Sequence, residues 1–231
     1  MSVVPHDDGC RLVCNRDERR ARAAALPPRM HVLNGLTAAF PIDPSSGGTW
    51  VGVNAAGLLL ALLNRNLATR PPAPRARSRG LIIPLLLGHR RLAESLAAAR
   101  ALDPSQFDLF RLLAVQGRRA ALITSDGRRL SVGSLHARQP LMATSSSLGD
   151  ALVEAPRRRL FERLVGGPPG SWLDGQARFH SHQWSRCRHV SVLMEREDAM
   201  TVSRTAIDVT SRAVVVSYEP LGTARQEETA A

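Results

Sequence analysis

The sequence predicts a mixed α+β architecture in which helices cover antiparallel sheets. Three observations lead there. Short apolar runs near both ends come in pairs joined by turn residues, the pattern of antiparallel hairpins. The middle of the chain has helical spacing, clearest in Arg91 to Leu102 ("RLAESLAAARAL"). Neither a strand–helix–strand rhythm nor a phosphate-loop or dinucleotide fingerprint is present, and the lone Gly47-Gly48 pair lacks the spacing such loops require.

Taken in order, Val3-Val4 and Arg11 to Cys14 flank "PHDDG", whose Asp8-Gly9 is a hairpin signal. The first of these strands has few residues before Pro5, too short a mate for the second, as though its beginning lay upstream. "ARAAALPPRMHVL" is expected to be irregular because of Pro27-Pro28. Pro44 to Gly48 form a loop, Thr49 to Val53 a strand, Asn54 to Gly57 a turn and Leu58 to Leu63 a buried strand ending at Asn64. Leu67 to Arg77 is an Arg/Pro-rich loop, and Ser78 caps a helix beginning at Arg79. Leu109 to Val115, Ala120 to Thr124 and Leu130 to Val132 form a meander joined by "QGRR" and "SDGRR". A helix runs from Gly149 or Asp150 to Val165 with Arg157 to Arg159 exposed, and a shorter one follows near Ser171 to Ala177. Strands are expected at His189 to Met194, Thr201 to Ile207 and Ala213 to Tyr218. One domain over residues 1–220 and a disordered tail over 221–231 complete the reading.

Length and composition narrow the function. The 231 residues carry a net charge of +11, and all 31 basic residues are Arg. A nucleic-acid binder would place Arg on phosphates. Here the arginines are dispersed with little aromatic interleaving, and the absence of Lys beside abundant Ala and Pro fits the codon bias of a GC-rich genome, so no nucleic-acid partner is expected. No apolar run approaches the ~18 residues of a membrane span. The N-terminus has no signal-peptide pattern, and the expected location is cytoplasmic. Three cysteines, an odd number, read as reduced thiols, with Cys10 and Cys14 as small core residues on one strand face.

The stretch "CRLVCNRDERRARA" (Cys10 to Ala23) raises the functional question. Along a strand Arg16 and Glu18 share one face and Asn15 and Asp17 the other, and an Arg can hold a carboxylate bidentately. The plain alternative is a solvated charge run. Elsewhere, His180, His182 and Cys187 lack a fourth ligand and the usual spacing for a metal site, so they read as a polar loop. Ser145-Ser146-Ser147 lacks the flanking glycines of a nucleophile elbow. Trp50 could stack a planar ligand, although a Trp after Gly-Gly is more often core.

Several motifs in sequence change that balance. "CNRDE", "GGTWVGVNAAG", "ALLN", "SRG" entering a helix, "TSSSLGDALVEAPRRRLF" and "HSHQWSRCRHVSVLMEREDAMTVS" occur in that order. Together they make the chain, from Ser2 to about Pro220, resemble the NRDE or transport-and-Golgi-organisation-2 family. The resemblance implies an N-terminal-nucleophile (Ntn)-hydrolase-like fold, a four-layer αββα sandwich. In active relatives of that superfamily the first residue of the mature chain, often Cys, attacks an amide carbonyl with its own amine as base. The resemblance places Arg16 and Asp17 as the pair orienting that terminus and Asn15 and Glu18 as their support. Asn64 would be a polar lining residue, Gly48, Thr49 and Trp50 a wall, and Arg79 a cation beside the pocket. Family members usually open Met-Cys-Thr, and that Cys is absent here. Either the start lies upstream or Ser2 is the nucleophile. Two functions follow from the resemblance: binding or trafficking of a metabolite such as haem or an acyl-CoA-like ligand, without a resident cofactor or metal, or amide hydrolysis from an N-terminal Ser or Cys.

Overall fold

A computed structural model describes residues 1–6, 8–67 and 77–221, which leaves most of the expected Arg/Pro-rich loop and nearly all of the expected tail outside the described residues. Two antiparallel sheets stack face to face. The first has the strand order β10-β1-β2-β11-β12. Its strands are β1 (Ser2–His6), β2 (Gly9–Arg19), β10 (Leu141–Met142), β11 (Ala199–Thr210) and β12 (Val214–Pro220). The second is a seven-stranded meander from β3 to β9. It comprises β3 (Leu26–Leu33), β4 (Leu36–Ile42), β5 (Val51–Asn54), β6 (Leu59–Asn64), β7 (Phe110–Gln116), β8 (Arg119–Ser125) and β9 (Leu130–His136). Helices α1 (Ile82–Leu87) and α2 (Leu92–Arg100) cover the second sheet, and α3 (Asp150–Val165) and α4 (Trp172–His180) cover the first.

Three apolar layers account for the four-layer αββα sandwich. Leu58, Leu60, Leu112 and Ala114 meet Ile82, Ile83, Leu86 and Leu87 under α1 and α2. Val3, Leu12, Cys14, Leu59, Ala61, Leu113 and Ile207 fill the space between the sheets. Val4 packs with Leu160, Phe161, Trp172 and Phe179 beneath α3 and α4. The period-two alternation of each strand sorts its side chains between neighbouring layers. Leu59 and Ala61 face one layer and Leu58, Leu60 and Leu62 the other, which is why "LLLALL" is apolar without a break.

The structure corrects four expectations. β1 is a five-residue strand that runs through Pro5, paired from Ser2↔Val13 to His6↔Gly9. Pro27 and Pro28 lie within β3, which is an edge strand with a register shift between Leu26 and Arg29, a place where missing N–H donors cost the ladder little. The β3–β4 hairpin turns at Asn34 (φ 49°) and Gly35 (φ 78°), an Asn-Gly signal that the sequence carried openly. Residues 189–194 are not a strand; a 3-10 turn over Arg188–Val190 leads into irregular chain anchored by hydrogen bonds to α3 and β2. Arg157 is buried, not exposed with Arg158 and Arg159.

Candidate functional site

The inter-sheet layer is apolar at one end and opens at the other into a cavity of about 840 Å³. β2 builds its floor. Cys10, Leu12 and Cys14 point between the sheets, and the same alternation carries Arg16 and Glu18 onward into the cavity. Arg16 is only 7 % exposed. Its Nη2 lies 3.3 Å from Glu18 Oε2 and 3.3 Å from Asp43 Oδ2. Arg22 closes the circuit, 3.4 Å from Glu18 Oε2 and 2.6 Å from Asp43 Oδ2. Two cations and two carboxylates thus form a ring. Burial works against the charge on Asp43, but the bonds from Arg22 and the Ser45 amide outweigh it and hold that carboxyl below the usual range. The Arg16 guanidinium also lies 4.6 Å from the centre of the Trp50 ring, so Trp50 is a half-buried wall rather than core.

Asn15 and Asp17 emerge from the other face of β2. Asn15 Nδ2 donates to the carbonyls of His180 and Val192, at 2.9 and 3.0 Å, and its Oδ1 faces His180 Nδ1 at 3.1 Å. Because the Asn15 amide nitrogen is fixed by two acceptors, its oxygen must be the partner of an Nδ1–H. That leaves His180 Nε2 to accept from the Ser2 hydroxyl at 2.8 Å, while Gln176 Nε2 donates to the same Ser2 oxygen at 2.9 Å. Ser2, Gln176 and His180 are each fully buried. Burial, then the positive charges of the amino terminus, Arg204 and Arg157, push the His180 pKa well below its ordinary value, so the imidazole is neutral.

Ser2 therefore is not brought to the cavity. Its neighbours Met1 and Val3 point between the sheets, and alternation turns the Ser2 hydroxyl under α4. Residue 1 lines the cavity instead, its amine donating to the Ala143 carbonyl at 2.9 Å.

Asp17 accepts a hydrogen bond from Thr201 Oγ1 at 2.6 Å and opens on the cavity. Burial pushes its pKa up, with the Thr201 bond and the charges of Arg157 and the amino terminus opposing. Asp17 is exposed on the cavity side, and that exposure tempers the upward shift.

The wall opposite comes from two loops that meet backbone to backbone. A Cβ on Gly48 would lie 2.6 Å from the Gly80 carbonyl carbon, and one on Gly80 would lie 3.0 Å from the Thr49 nitrogen. Only glycines allow the Thr49 amide to reach the Gly80 carbonyl at 3.0 Å. This joins "GGTW" to "SRG", with Ser78 capping the turn by accepting from the Gly80 amide. The contact sets Arg79 at the cavity wall, where its Nη1 donates to the Leu109 carbonyl at 2.9 Å. No carboxylate hydrogen-bonds to it among the described residues, and burial lowers its pKa, with Asp108 opposing. Thr49 Oγ1 turns back to the Val51 carbonyl at 3.0 Å, and Asn64 lines the rim at the exposed end of β6.

Sequence reasoning missed three residues that shape this site. Asp43 precedes the Gly-Gly loop and gave no signal beyond an acidic residue at a turn. His180 belongs to a helix end, not a polar loop. Arg157 was grouped with its exposed neighbours; its guanidinium ties α3 to the Thr144 hydroxyl and to the Ser145, Val190 and Ser191 carbonyls. Ser145, Ser146 and Ser147 line the cavity beside it.

Residues 11–164 match the family model described as Transport and Golgi organisation 2. Among curated protein sequences none matches the chain. Solved structures share the fold at low identity. An N-acylethanolamine-hydrolyzing acid amidase orthologue from Caenorhabditis elegans superposes with a TM-score of 0.62 at 12 % identity, covering 90 % of this chain and 92 % of that one. Penicillin V acylase from Agrobacterium tumefaciens gives 0.54 at 12 %, covering 95 % and 85 %. A conjugated bile acid hydrolase from Clostridium perfringens gives 0.53 at 9 %, covering 95 % and 92 %. The likeness extends over nearly the whole chain and is one of fold, Ntn-hydrolase-like.

Proposed function

We propose that this chain, which belongs to the transport and Golgi organisation 2 family, binds a small anionic metabolite in the cavity between its sheets. The observation that carries the reading is Arg79, a half-buried guanidinium on the cavity wall with a carbonyl but no carboxylate as its hydrogen-bonded partner among the described residues. A cation partly removed from water with no carboxylate hydrogen-bonded to it gains from an incoming carboxylate or phosphate. Arg16, whose charge is already balanced by Glu18 and Asp43, acts instead as a wall, holding Trp50 in place. A flat or elongated ligand of haem or acyl-CoA-like chemistry suits such a cavity. His180 on its wall has both ring nitrogens engaged, so haem would be held by its propionates and ring face and not by that imidazole.

Arg79→Gln is expected to weaken binding of haem or an acyl-CoA at least tenfold, as loss of one charge-assisted contact worth ~1.5–3 kcal/mol requires. Calorimetry and absorbance titrations check it. Absence of saturable binding at micromolar ligand in the parent protein overturns the reading.

Amide hydrolysis is the second reading, favoured by the common cavity wall of residue 1 and Asp17. The Ser2 hydroxyl, sealed between β1 and α4, argues against Ser2 as its nucleophile. Any amidase activity measured on acyl-amide substrates should therefore survive in a folded Ser2→Ala variant; its complete loss would restore Ser2 to the site.

A further inference from the structure

The outward face of α3 changes character along its length. Asp150, Val153, Arg157, Leu160, Phe161 and Val165 turn inward and are buried. Ala151, Leu152 and Ala155 are therefore outward in the first half, and Arg158, Arg159, Glu162 and Arg163 in the second. The loop before the helix adds Leu148. Three hydrogen bonds between Asn66 and Asp150 bring Leu67 to the same helix end. Leu67, Leu148 and Leu152 are 43, 49 and 52 % exposed, an apolar patch and not a scatter of single side chains. Leu148 also lines the cavity with Ser146 and Ser147, so the patch is continuous with the cavity mouth. Of the charges behind it, Arg158 is paired with Glu154 at 2.9 Å. Among the described residues no carboxylate lies within ion-pair distance of Arg159 or Arg163, and Glu162 is the other acid on this face of α3. The chain as a whole carries +11, a field that draws it to anionic surfaces.

We propose that this end of α3 docks on the surface of a bilayer containing anionic lipid, with the cavity mouth turned towards it. The three leucines enter the boundary between headgroups and acyl chains, and the arginines behind them stay at headgroup level. Arg159 and Arg163 share the outward face with Leu152, so a flat surface meets the leucines and the guanidinium groups together. Among the described residues no helix is long and apolar enough to cross a membrane, and the contact is interfacial. Lipid fits better than a protein partner. The patch has no aromatic anchor and no pocket of its own to hold one, as the centre of a protein interface has. The proposal goes beyond the ligand reading and does not depend on it. Together they give an amphiphilic ligand a path between bilayer and cavity that avoids bulk water.

The test floats the full chain with phosphatidylcholine vesicles, plain or with about 30 mol % phosphatidylserine, in the absence of haem and acyl-CoA. Binding to the anionic vesicles is expected to be at least tenfold tighter than to the plain ones. Leu148→Ser/Leu152→Ser should weaken it at least tenfold, and Arg159→Gln/Arg163→Gln should narrow the gap between the two lipids. Leu85→Ser, at an exposed leucine of α1, should change nothing. A second readout does not depend on how the serine variants fold. Cys187→Ser leaves only buried thiols, so a polarity-sensitive fluorophore can be placed through Leu152→Cys or Leu85→Cys. Anionic vesicles should shift its emission to the blue at position 152 and leave it unchanged at position 85. The proposal is overturned by absence of binding, by binding that survives Leu148→Ser/Leu152→Ser in a folded protein, or by a shift at position 85 alone. Lipid-free self-association that the same double variant abolishes would assign the patch to a second copy and overturn it too. Since no ligand is present, none of these outcomes bears on Arg79, and failure of Arg79 to bind an anion leaves the vesicle result standing.

Discussion

Gly48→Ala is expected to lose about 3 kcal/mol of stability, the upper end for forcing atoms into a packed interior, and with it the cavity wall. The added methyl would stand 2.6 Å from the Gly80 carbonyl carbon and 2.7 Å from its Cα, both backbone atoms that no rotamer change can move aside. The two loops must part, and the Thr49–Gly80 hydrogen bond and the placement of Arg79 go together. For a domain of this size that corresponds to a fall in melting temperature of ~10 °C. Ligand affinity should fall by more than Arg79→Gln alone costs, because the whole wall is displaced. A Gly35→Ala control, with nothing within 4 Å of the added methyl and a φ of 78°, carries only the turn-strain cost. A Gly48→Ala protein that melts with the parent and keeps its affinity would show that the loops part freely.

His180→Ala should be more damaging still, at about 4 kcal/mol. It leaves a void and strands the Ser2 hydroxyl and the Asn15 carbonyl oxygen in the interior. The same residue makes stability depend on pH. In the folded chain His180 is neutral, with a pKa well below 6.5, whereas in the unfolded chain it titrates near the ordinary value of about 6.5. Below that pH the unfolded state binds the extra proton and the folded state does not. The contribution is therefore complete above ~6.5 and is lost progressively as pH falls towards the folded pKa, with a limiting slope of ~1.4 kcal/mol per pH unit. The groups acting on His180 are its hydrogen-bonded partners Ser2 on β1 and Asn15 on β2, and the charges of the amino terminus, Arg204 on β11 and Arg157 on α3; none is a carboxylate that could stabilise the imidazolium. Urea titrations between pH 7.5 and 5 should show a steeper decline in the parent than in His180→Gln. Parallel curves would remove His180 as the source.

Much of the architecture was legible locally. The meander of β7, β8 and β9 follows from two tight turns between apolar runs, and α3 from its length and helical spacing. The failures have physical causes. Pro27 and Pro28 argue against a strand only if their missing N–H groups were needed, and an edge position removes the need. The apolar residues of 189–194 resemble a strand, yet their backbone carbonyls are claimed by side chains, Val190 and Ser191 by Arg157 and Val192 by Asn15. Arg157 sits between exposed neighbours in sequence, and only the packing of α3 against the 190–192 segment buries it.

The site divides in the same way. Alternation along "NRDE" predicts from sequence alone that Arg16 with Glu18 and Asn15 with Asp17 take opposite faces, and the ordered motifs identify the family. What each residue does there was decided by partners distant in sequence: Asp43 and Arg22 balance Arg16, His180 engages Asn15, and Thr201 aims Asp17. A strand sets direction because its pleat is local. Charge balance, desolvation and hydrogen-bond completion depend on what the rest of the chain brings within a few ångströms, so only the tertiary structure distinguishes the ion-paired Arg16 and Glu18 from Asp17, which forms no ion pair among the described residues.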